Sequence, residues 1–270
     1  QGEFALELGA DPQDLSLWEW DQDEEFDGGD VVFPNGYAQV TNGLAQGLDI
    51  RLGVKVTSIS YGVDGVEVET SSGVFGGEKA VVTFPFGVLK QASVKFKPPL
   101  PEWKQSAIDR LDMGVLNKVY LKFTEAFWDE EIEGFSYLGE EVGEWSDWMS
   151  FVPYVDEPVL MAFHGGAKGY AIEELSDDEI IAGALKTLRV IYGDGVPEPV
   201  GYLITRWGKD PFAFGSYSHV PPFASGDDYD AMFEPVDNVL YFAGEATGRE
   251  YPATVHGAYL SGIAAAEEIV

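Results

Sequence analysis

The sequence contains no cysteine among its 270 residues, which excludes disulfide bonds, thiol nucleophiles and cysteine-ligated zinc sites. No apolar run reaches the length of about eighteen residues that a transmembrane helix needs, so we predict no membrane span. Residue 1 is glutamine and no targeting segment follows it, so we expect a soluble, processed or truncated chain. The compartment stays open.

Basic residues are scarce, with 16 lysines and arginines against 47 aspartates and glutamates and a formal net charge of -31. Such a charge repels the phosphate backbone, so direct nucleic-acid binding is not expected. It attracts cations, which suits a polyamine, a lysine-rich peptide or high salt. The acidic runs "DQDEEFD" and "GEEVGEWSD" are typical of solvated surface and would also attract a polycation.

Histidine is scarcer than lysine and arginine, with three residues in the chain. His164, His219 and His256 are scattered and show no metal-ligand spacing, so no metal site is predicted. Hydrophobic residues make up 45% of the chain, which predicts a folded core. No internal repeat is visible, and helical and strand patterns are interspersed, so we expect a mixed α and β protein.

Periodicity predicts the main elements. A short helix is expected in "YAQVTNGLAQGL", and alternation in "VKVTSISY", "VDGVEVETSSG" and "EKAVVTF" predicts a β-meander. A helix is expected after Pro101 and a strand in "MGVLNKVYLKF". The long helix in "SDDEIIAGALKTLRVIYGDG" has a capping box, Ser176 with Glu179, and Gly193 as its stop. Further strands are expected in "PVGYLITRW" and "NVLYFAG", and a helix ends the chain.

The stretch "FAGEATGREYPATVHGAYLSG" places an apolar strand, Gly244, an acidic residue and a helix start in close succession. Free amides at a helix N-terminus stabilise an anion or a polarised carbonyl. Gly257 and Gly262 allow a backbone or a flat ligand to approach closely. A cofactor site and a tightly packed helix explain this pattern about equally well.

This stretch resembles the C-terminal flavin-binding motif of the flavin-dependent amine oxidases, particularly the branch of polyamine oxidases and lysine-specific histone demethylases. The resemblance covers nearly the whole chain, because further segments occur in the family's order. They are "WDQDEEF", "NGYAQVTNGLAQGLDIRL", "FPFGVLKQ", "PPLPEWKQSAIDRLDMGVLNKVYLKF", "WDEE", "TRWGKDPFAFGSYSHV" and "DNVLYFAGE".

The resemblance implies an α/β (mixed α+β) fold, with an FAD-binding domain interleaved with a substrate domain of mixed sheet and helices. Residues 26–114 and 227–270 would form the FAD-binding part, and residues 1–25 and 115–226 the substrate-binding part. The chain has no G-x-G-x-x-G motif, so the Rossmann half of the cofactor domain is missing. We expect a companion chain or a missing N-terminal segment to carry it.

The resemblance also implies cofactor contacts in the first half of the chain. Val56 matches a residue whose backbone meets the adenine of FAD. Thr83, Pro85 and Gly87 match a strand-end loop that passes beside the cofactor.

Near the C-terminus, Gly244 and Glu245 match the motif on the ribityl or pyrophosphate side of FAD. Thr254 and Val255 match the helix N-terminus at the pyrimidine edge of the flavin. There the helix dipole would favour the negative charge that develops on flavin reduction.

Lys118 is the leading catalytic candidate. Alternation places it on one strand face with Leu116, Tyr120 and Lys122, where an ordinary snorkelling lysine is the simplest interpretation. The resemblance changes this interpretation, because the lysine of the family's "NK" motif holds a water against flavin N5. That water is linked to reoxidation by oxygen and to imine hydrolysis.

An aromatic loop, "GKDPFAFGSYSHVPPFASGDD", follows Trp207 and supplies the expected substrate wall together with it. Trp207 matches a family position beside the flavin, and Phe212 and Tyr217 match the substrate pocket. Tyr217 corresponds to one side of an aromatic cage, where a ring face attracts a cationic amine, and counts as a second catalytic candidate. Thr254 stands where monoamine oxidases have the second tyrosine, which widens the pocket. Trp207 and Phe212 are equally consistent with core packing.

The expected function is FAD-dependent oxidation of an amine at a polyamine-like C–N bond, giving an imine and then an aldehyde while oxygen becomes hydrogen peroxide. A histone lysine demethylase is the alternative substrate assignment. A catalytically silent binding or assembly subunit is the alternative of another class, which the missing nucleotide half suggests.

Overall fold

The structure is a computed structural model that describes residues 2–20, 24, 26, 28–29, 31–139 and 143–270. Helices and strands are interspersed along the chain, which confirms the predicted mixed α and β class. Both acidic runs, residues 21–27 and 139–147, lie partly outside the described residues. No described helix has the length and apolarity required to cross a bilayer.

Helices and strands are numbered in chain order. The helices are α1 (Gly2–Glu7), α2 (Ala38–Leu44), α3 (Phe86–Lys90), α4 (Glu102–Arg110), α5 (Val152–Val155), α6 (Gly166–Ile172), α7 (Asp177–Tyr192), α8 (Gly226–Phe233) and α9 (Val255–Ile269). The strands are β1 (Val56–Gly62), β2 (Gly65–Thr70), β3 (Gly73–Gly77), β4 (Ala80–Val82), β5 (Lys95–Lys97), β6 (Asp112–Met113), β7 (Leu116–Lys122), β8 (Gly134–Ser136), β9 (Asp147–Ser150), β10 (Val159–Gly165), β11 (Gly201–Ile204), β12 (Ser218–His219) and β13 (Leu240–Phe242).

The first two predicted segments of the meander are confirmed as β1 and β2 of a four-stranded sheet in the order β3-β2-β1-β5. The third segment, "EKAVVTF", contains β4, which pairs with β13 in a separate sheet. The first three strands of the four-stranded sheet pair antiparallel, and β5 joins β1 in parallel. Ile59 and Tyr61 of β1 and Val66 of β2 are buried, so this sheet packs one face on apolar side chains. Gly65, at φ +107°, allows the tight turn between β1 and β2.

A second sheet carries the predicted "NK" strand. Its order is β11-β7-β10-β9-β8, and its strands pair antiparallel. Along β7, Asn117, Val119 and Leu121 are buried, whereas Lys118 and Tyr120 are partly exposed on the opposite face. The alternation predicted from sequence therefore holds, and it sets Lys118 away from the sheet's main core.

Among the described residues, two large hydrophobic cores are accompanied by a small cluster of Tyr241, Ala243 and Ala265. The first core contains buried residues from 59 to 113 and from 220 to 246, and the second core contains residues from 119 to 196. This division resembles the predicted cofactor and substrate parts, although Val220 and Ala224 pack in the first core and the predicted boundary falls at residue 227. The boundaries themselves stay a prediction.

Two short strand pairs complete the sheets. β12 pairs antiparallel with β6, which joins the predicted substrate part to the predicted cofactor part, and β13 pairs in parallel with β4 within the predicted cofactor part. Because β4 and β13 are parallel, the segments that follow them, at Thr83 and Gly244, emerge at the same edge. Among the described residues, β4 has one unpaired edge, and the outer edge of β13 carries a single isolated bridge, from Leu240 to Val236.

Candidate active site

A cavity of about 480 Å³ lies where the ends of β4 and β13 meet strand β7. Predicted site residues share it with apolar side chains such as Leu89, Met113 and Phe242. Those predicted residues are Thr83, Pro85, Lys118, Trp207, Tyr217, Gly244 and Glu245. A mostly apolar cavity with a few converging polar groups is the usual form of a ligand site.

Gly244 has an open side. Its φ of +149° is unfavourable for other residues, and a Cβ added there would meet no atom within 4 Å. Its backbone is fixed, because its N–H donates to Ser261 Oγ at 2.9 Å and its carbonyl accepts from Thr247 Oγ1 at 2.8 Å. The cavity therefore has a rigid stretch of bare backbone that a side chain would otherwise cover.

Glu245 ties three segments together at the cavity wall. Its carboxylate accepts from Ser218 Oγ at 2.7 Å, from the Ser218 N–H, and from the Ala253 N–H at 3.1 Å. Burial raises the pKa of this carboxyl, and the hydrogen bonds from Ser218 and Ala253 oppose that rise. The tie holds β12 and the loop before α9 beside the end of β13, and a flavin contact by Glu245 stays a prediction.

Gly87 lies in α3, just behind the cavity wall. A Cβ at Gly87 would come within 2.2 Å of the Ala213 carbonyl oxygen, so only glycine permits this approach. The close contact seats the aromatic loop on α3 and brings Ala213 and Gly215 into the lining. Gly87 therefore shapes the cavity from outside the lining.

Lys118 points from β7 into the cavity lining. Its backbone N–H donates to Thr205 Oγ1 at 2.8 Å, and its carbonyl accepts from the Thr205 N–H at 3.0 Å. Burial lowers the pKa of its ammonium. A lysine whose pKa is lowered by burial exchanges a proton with water more readily near neutral pH.

The three predicted aromatic residues of the aromatic loop and its start lie at different positions relative to the cavity. Trp207 and Tyr217 line the cavity, and the Tyr217 hydroxyl donates to the Leu6 carbonyl at 2.9 Å. Burial and the nearby Glu7 carboxylate raise the pKa of Tyr217, so its hydroxyl stays protonated. Phe212 lies outside the lining, 60% exposed.

Three predicted cofactor residues also lie outside the cavity lining. Val56 begins β1 and packs against the first core. Thr254 caps α9, with its Oγ1 accepting from the Gly257 N–H at 3.0 Å, and Val255 is 54% exposed. The predicted roles of these residues in the cofactor site and the substrate pocket stay predictions.

Sequence analysis missed two buried polar residues behind the cavity. Asn117 is fully buried, and Glu173, at the end of α6, is 4% exposed. The alternation of β7 already placed Asn117 on the core face, which was the available signal. No cluster of three or more histidine, aspartate or glutamate side chains within the described ranges is arranged to hold a metal ion.

Comparison with known proteins identifies the family and the fold to which the chain is similar. The sequence profile described as flavin containing amine oxidoreductase matches residues 3–270. Lysine-specific histone demethylase 1 homolog 2 of Arabidopsis thaliana is 44% identical over 264 residues, which are 95% of this chain and 35% of that protein. Protein FLOWERING LOCUS D, also from Arabidopsis thaliana, is 42% identical over 258 residues, 92% of this chain and 33% of that protein. The chain spans about a third of the length of these relatives.

A solved structure shares the fold. Wild-type putrescine oxidase bound to putrescine superposes with a TM-score of 0.74 at 23% identity. The match covers 87% of this chain and 53% of that one. The predicted amine-oxidase-like architecture is thereby confirmed at the level of the fold.

Proposed function

The chain belongs to the flavin-containing amine oxidoreductase family. We propose that it supplies the catalytic lysine and the substrate wall of an FAD-dependent amine oxidase. The observation that supports the proposal is that predicted site residues from distant parts of the sequence lie together. Lys118, Trp207, Tyr217 and the Gly244–Glu245 segment, which are far apart in sequence, line one cavity.

The residues present fit a flavin. The cavity volume lies within the range of about 300–1,000 Å³ that is usual for ligand sites. The open side of Gly244 would allow a flat ring to approach the backbone, and Leu89, Met113 and Phe242 would supply its apolar contacts. When bound, the flavin supplies the acceptor for a hydride equivalent from the α-carbon of the amine.

The chain's own residues would bind and orient the substrate. Trp207 and Tyr217 line the cavity, and their aromatic rings would attract a cationic amine and restrict its orientation. Lys118, with its lowered pKa, would hold a water and exchange a proton with it. The net reaction consumes an amine, oxygen and water and releases an aldehyde, a shorter amine and hydrogen peroxide.

We propose methylated lysine in a basic peptide as the first substrate to test. The relatives named histone demethylase homologues support it, and a net charge of -31 suits a basic peptide. A polyamine is the second candidate, which the shared fold of putrescine oxidase supports.

We also propose that a companion chain or an N-terminal segment completes the cofactor site. Within the described residues, β4 and β13 form only a two-stranded parallel pair, whereas parallel sheets are normally larger and covered on both faces. Helix α2 buries none of its own described side chains. Helix α9 leaves Val255 and Tyr259 about half exposed. These surfaces would be covered by the Rossmann half.

The test uses this chain produced together with the Rossmann-containing segment. Visible flavin absorbance and peroxide release are measured with a dimethyl-lysine peptide, spermidine and putrescine. Lys118→Met should slow turnover by about 10²-fold or more, the usual size of a lost proton-transfer group. Lys122→Met is the matched control, because Lys122 lies on the same strand but pairs with Glu157 at the surface, and it should change turnover less than about twofold.

Each result decides between hypotheses. Unchanged turnover in flavin-loaded Lys118→Met would refute the assignment of Lys118. Absence of flavin from the intact assembly would favour the silent binding subunit. Release of peroxide with spermidine but not with the peptide would favour the polyamine.

A further inference from the structure

A buried polar network lies behind the cavity, on the face of β7 opposite Lys118. Its two side chains are Asn117, which is fully buried, and Glu173, which is 4% exposed. They come from β7, an interior strand of the second sheet, and from the end of α6. A buried amide and carboxylate are costly unless hydrogen bonds satisfy them, so their partners show what this arrangement fixes.

Both N–H groups of the Asn117 side-chain amide donate hydrogen bonds. Its Nδ2 donates to the Gly169 carbonyl at 3.0 Å and to Glu173 Oε1 at 2.7 Å. Its Oδ1 accepts from Thr205 Oγ1 at 3.0 Å and from the Trp207 N–H at 3.0 Å. One side chain thus joins α6, β7 and the segment after β11.

Glu173 holds the same segment from its other side. Its Oε1 accepts from the Gly208 N–H at 2.7 Å. Its backbone carbonyl accepts from Lys209 Nζ at 2.7 Å. Charge-assisted bonds to a carboxylate are short and directional, so successive amides of the turn at Trp207 and Gly208 are fixed by two buried side chains.

The network also holds the backbone of two residues that line the cavity, Lys118 and Trp207. Trp207, whose amide is bound by Asn117, lines the cavity with its side chain. Thr205 Oγ1, which donates to Asn117, also accepts the Lys118 N–H at 2.8 Å. The backbone of Lys118 is therefore held through Thr205, and that of Trp207 is held directly.

We propose that Asn117 and Glu173 are positioning residues that set Lys118 and Trp207 at the spacing the reaction needs. This inference rests on the proposed amine oxidation for its chemistry, but its geometric part concerns the chain alone. An apolar pair could fill the same volume, whereas only directional bonds fix the orientation of the turn at Trp207.

The test exchanges the two functional groups. Asn117→Asp alone places two carboxylates in contact and removes the donor to Gly169, so the turn should be released. The double variant Asn117→Asp/Glu173→Gln restores an amide–carboxylate pair in the reverse orientation. Glu173→Gln alone keeps an acceptor for Gly208 and remains informative if Asn117→Asp fails to fold. Glu174→Gln is the matched control. It also removes one carboxylate charge, but the Glu174 side chain is 74% exposed, and its ion pair with Lys209 at 3.0 Å lies at the surface, where such pairs contribute little.

Two measurements separate geometry from chemistry. Hydrogen exchange of the Trp207 and Gly208 amides should accelerate about 10- to 100-fold in Asn117→Asp and less than about tenfold in Glu173→Gln. It should recover in part in the double variant, which restores the bond between positions 117 and 173 but not the donor to the Gly169 carbonyl, and it should stay unchanged in Glu174→Gln. In the flavin-loaded assembly, turnover of Asn117→Asp should fall at least about tenfold with unchanged flavin content, and the double variant should regain part of it.

The outcomes are distinguishable. Unchanged exchange in Asn117→Asp and Glu173→Gln would overturn the network's role. Accelerated exchange with unchanged turnover, in an assembly whose wild type is active, would overturn positioning and leave only a structural bond. An inactive wild-type assembly would count against the proposed function, while the exchange data would still decide the geometry.

Discussion

Helices α7 and α9 begin alike and pack differently. They span 16 and 15 residues, and each starts at a hydroxyl side chain that accepts a backbone N–H, Ser176 in α7 and Thr254 in α9. Helix α7 buries an apolar stripe that includes Ile180, Ala184, Leu185 and Leu188. Within the described part of the chain, α9 buries only Ser261 and Ala265. Local signals therefore define both helices, but only α7 finds a complete packing partner.

The exposed side of α9 is apolar. Val255, Tyr259, Leu260 and Ile263 are between 40% and 54% exposed. A contiguous apolar surface of this kind marks a contact site in most proteins. The contrast with α7 thus agrees with the proposal that a further segment covers α9.

The largest expected difference between the helices concerns their leucines. Leu188→Ala should lower the free energy of unfolding by about 2–5 kcal/mol, because Leu188 is fully buried. Leu260→Ala should change it by less than about 0.5 kcal/mol, because Leu260 is 40% exposed. Urea denaturation of the chain measures both. Equal losses would show that α9 is already packed as well as α7.

A second difference separates two glycines within α9. A Cβ at Gly257 would lie 1.9 Å from the Tyr251 carbonyl oxygen, so Gly257→Ala should cost about 1–3 kcal/mol. At Gly262 an added Cβ meets no atom within 4 Å, so Gly262→Ala should stabilise the chain by about 0.5–1 kcal/mol through helix propensity. Thermal or urea unfolding tests the signs. Stabilisation by Gly257→Ala would mean that the loop before α9 is free to move.

The caps should be equivalent. Ser176→Ala and Thr254→Ala should each cost about 1 kcal/mol, because capping is a local interaction that does not depend on how the rest of the helix packs. The same unfolding assay compares them, with Ser176→Thr as the conservative control. A much larger cost at Thr254 would assign that residue a role beyond its cap.

The smallest expected effect is a pH dependence of the free energy of unfolding in the region that packs against α7. It is small at neutral pH and grows in acid. Trp145, which packs against α7 at Gly183, contacts the His164 ring at a centroid distance of 4.4 Å. Burial and Lys168 lower the pKa of His164 to about 4, from an ordinary value of 6.5. Between these values the unfolded chain binds a proton that the folded chain does not, so stability should fall as the pH falls.

Glu245, near α9, should behave in the opposite way. Its pKa is raised above 4.5, so its contribution to stability is present in acid and is lost as the pH rises through the folded value. Unfolding measured from pH 4 to 7 should show less acid sensitivity in His164→Leu and more in Glu245→Gln. Parallel pH curves for the wild type and His164→Leu would contradict the pKa of His164.

The sequence predicted the elements whose signals are local. Ser176, Glu179 and Gly193 bounded α7, and period-two alternation located the meander and β7. Sequence analysis did not predict α3, α8 or β8 to β10. Helix α3 has five residues, and β10 is a nearly continuous apolar run, which periodicity alone does not distinguish from a buried helix.

The candidate site was predicted through the family resemblance rather than through physical pattern. Alternation alone favoured an ordinary snorkelling lysine at Lys118, and the family resemblance made it the catalytic candidate. The structure places Lys118 in the same cavity lining as Trp207 and Gly244. Asn117 and Glu173 were missed because their bonds join residues 35 to 90 positions apart in sequence. No local pattern encodes such pairings.

Within the described residues, the unpaired edge of β4 and the mostly unpaired outer edge of β13 have a consequence for how the chain behaves in solution. A bare strand edge is a template for pairing with another copy. The net charge of -31 opposes that encounter by mutual repulsion, which salt screens over about 10 Å at 0.1 M. Colloidal stability of the chain on its own should therefore decline with added salt, and it should improve once the edges are covered.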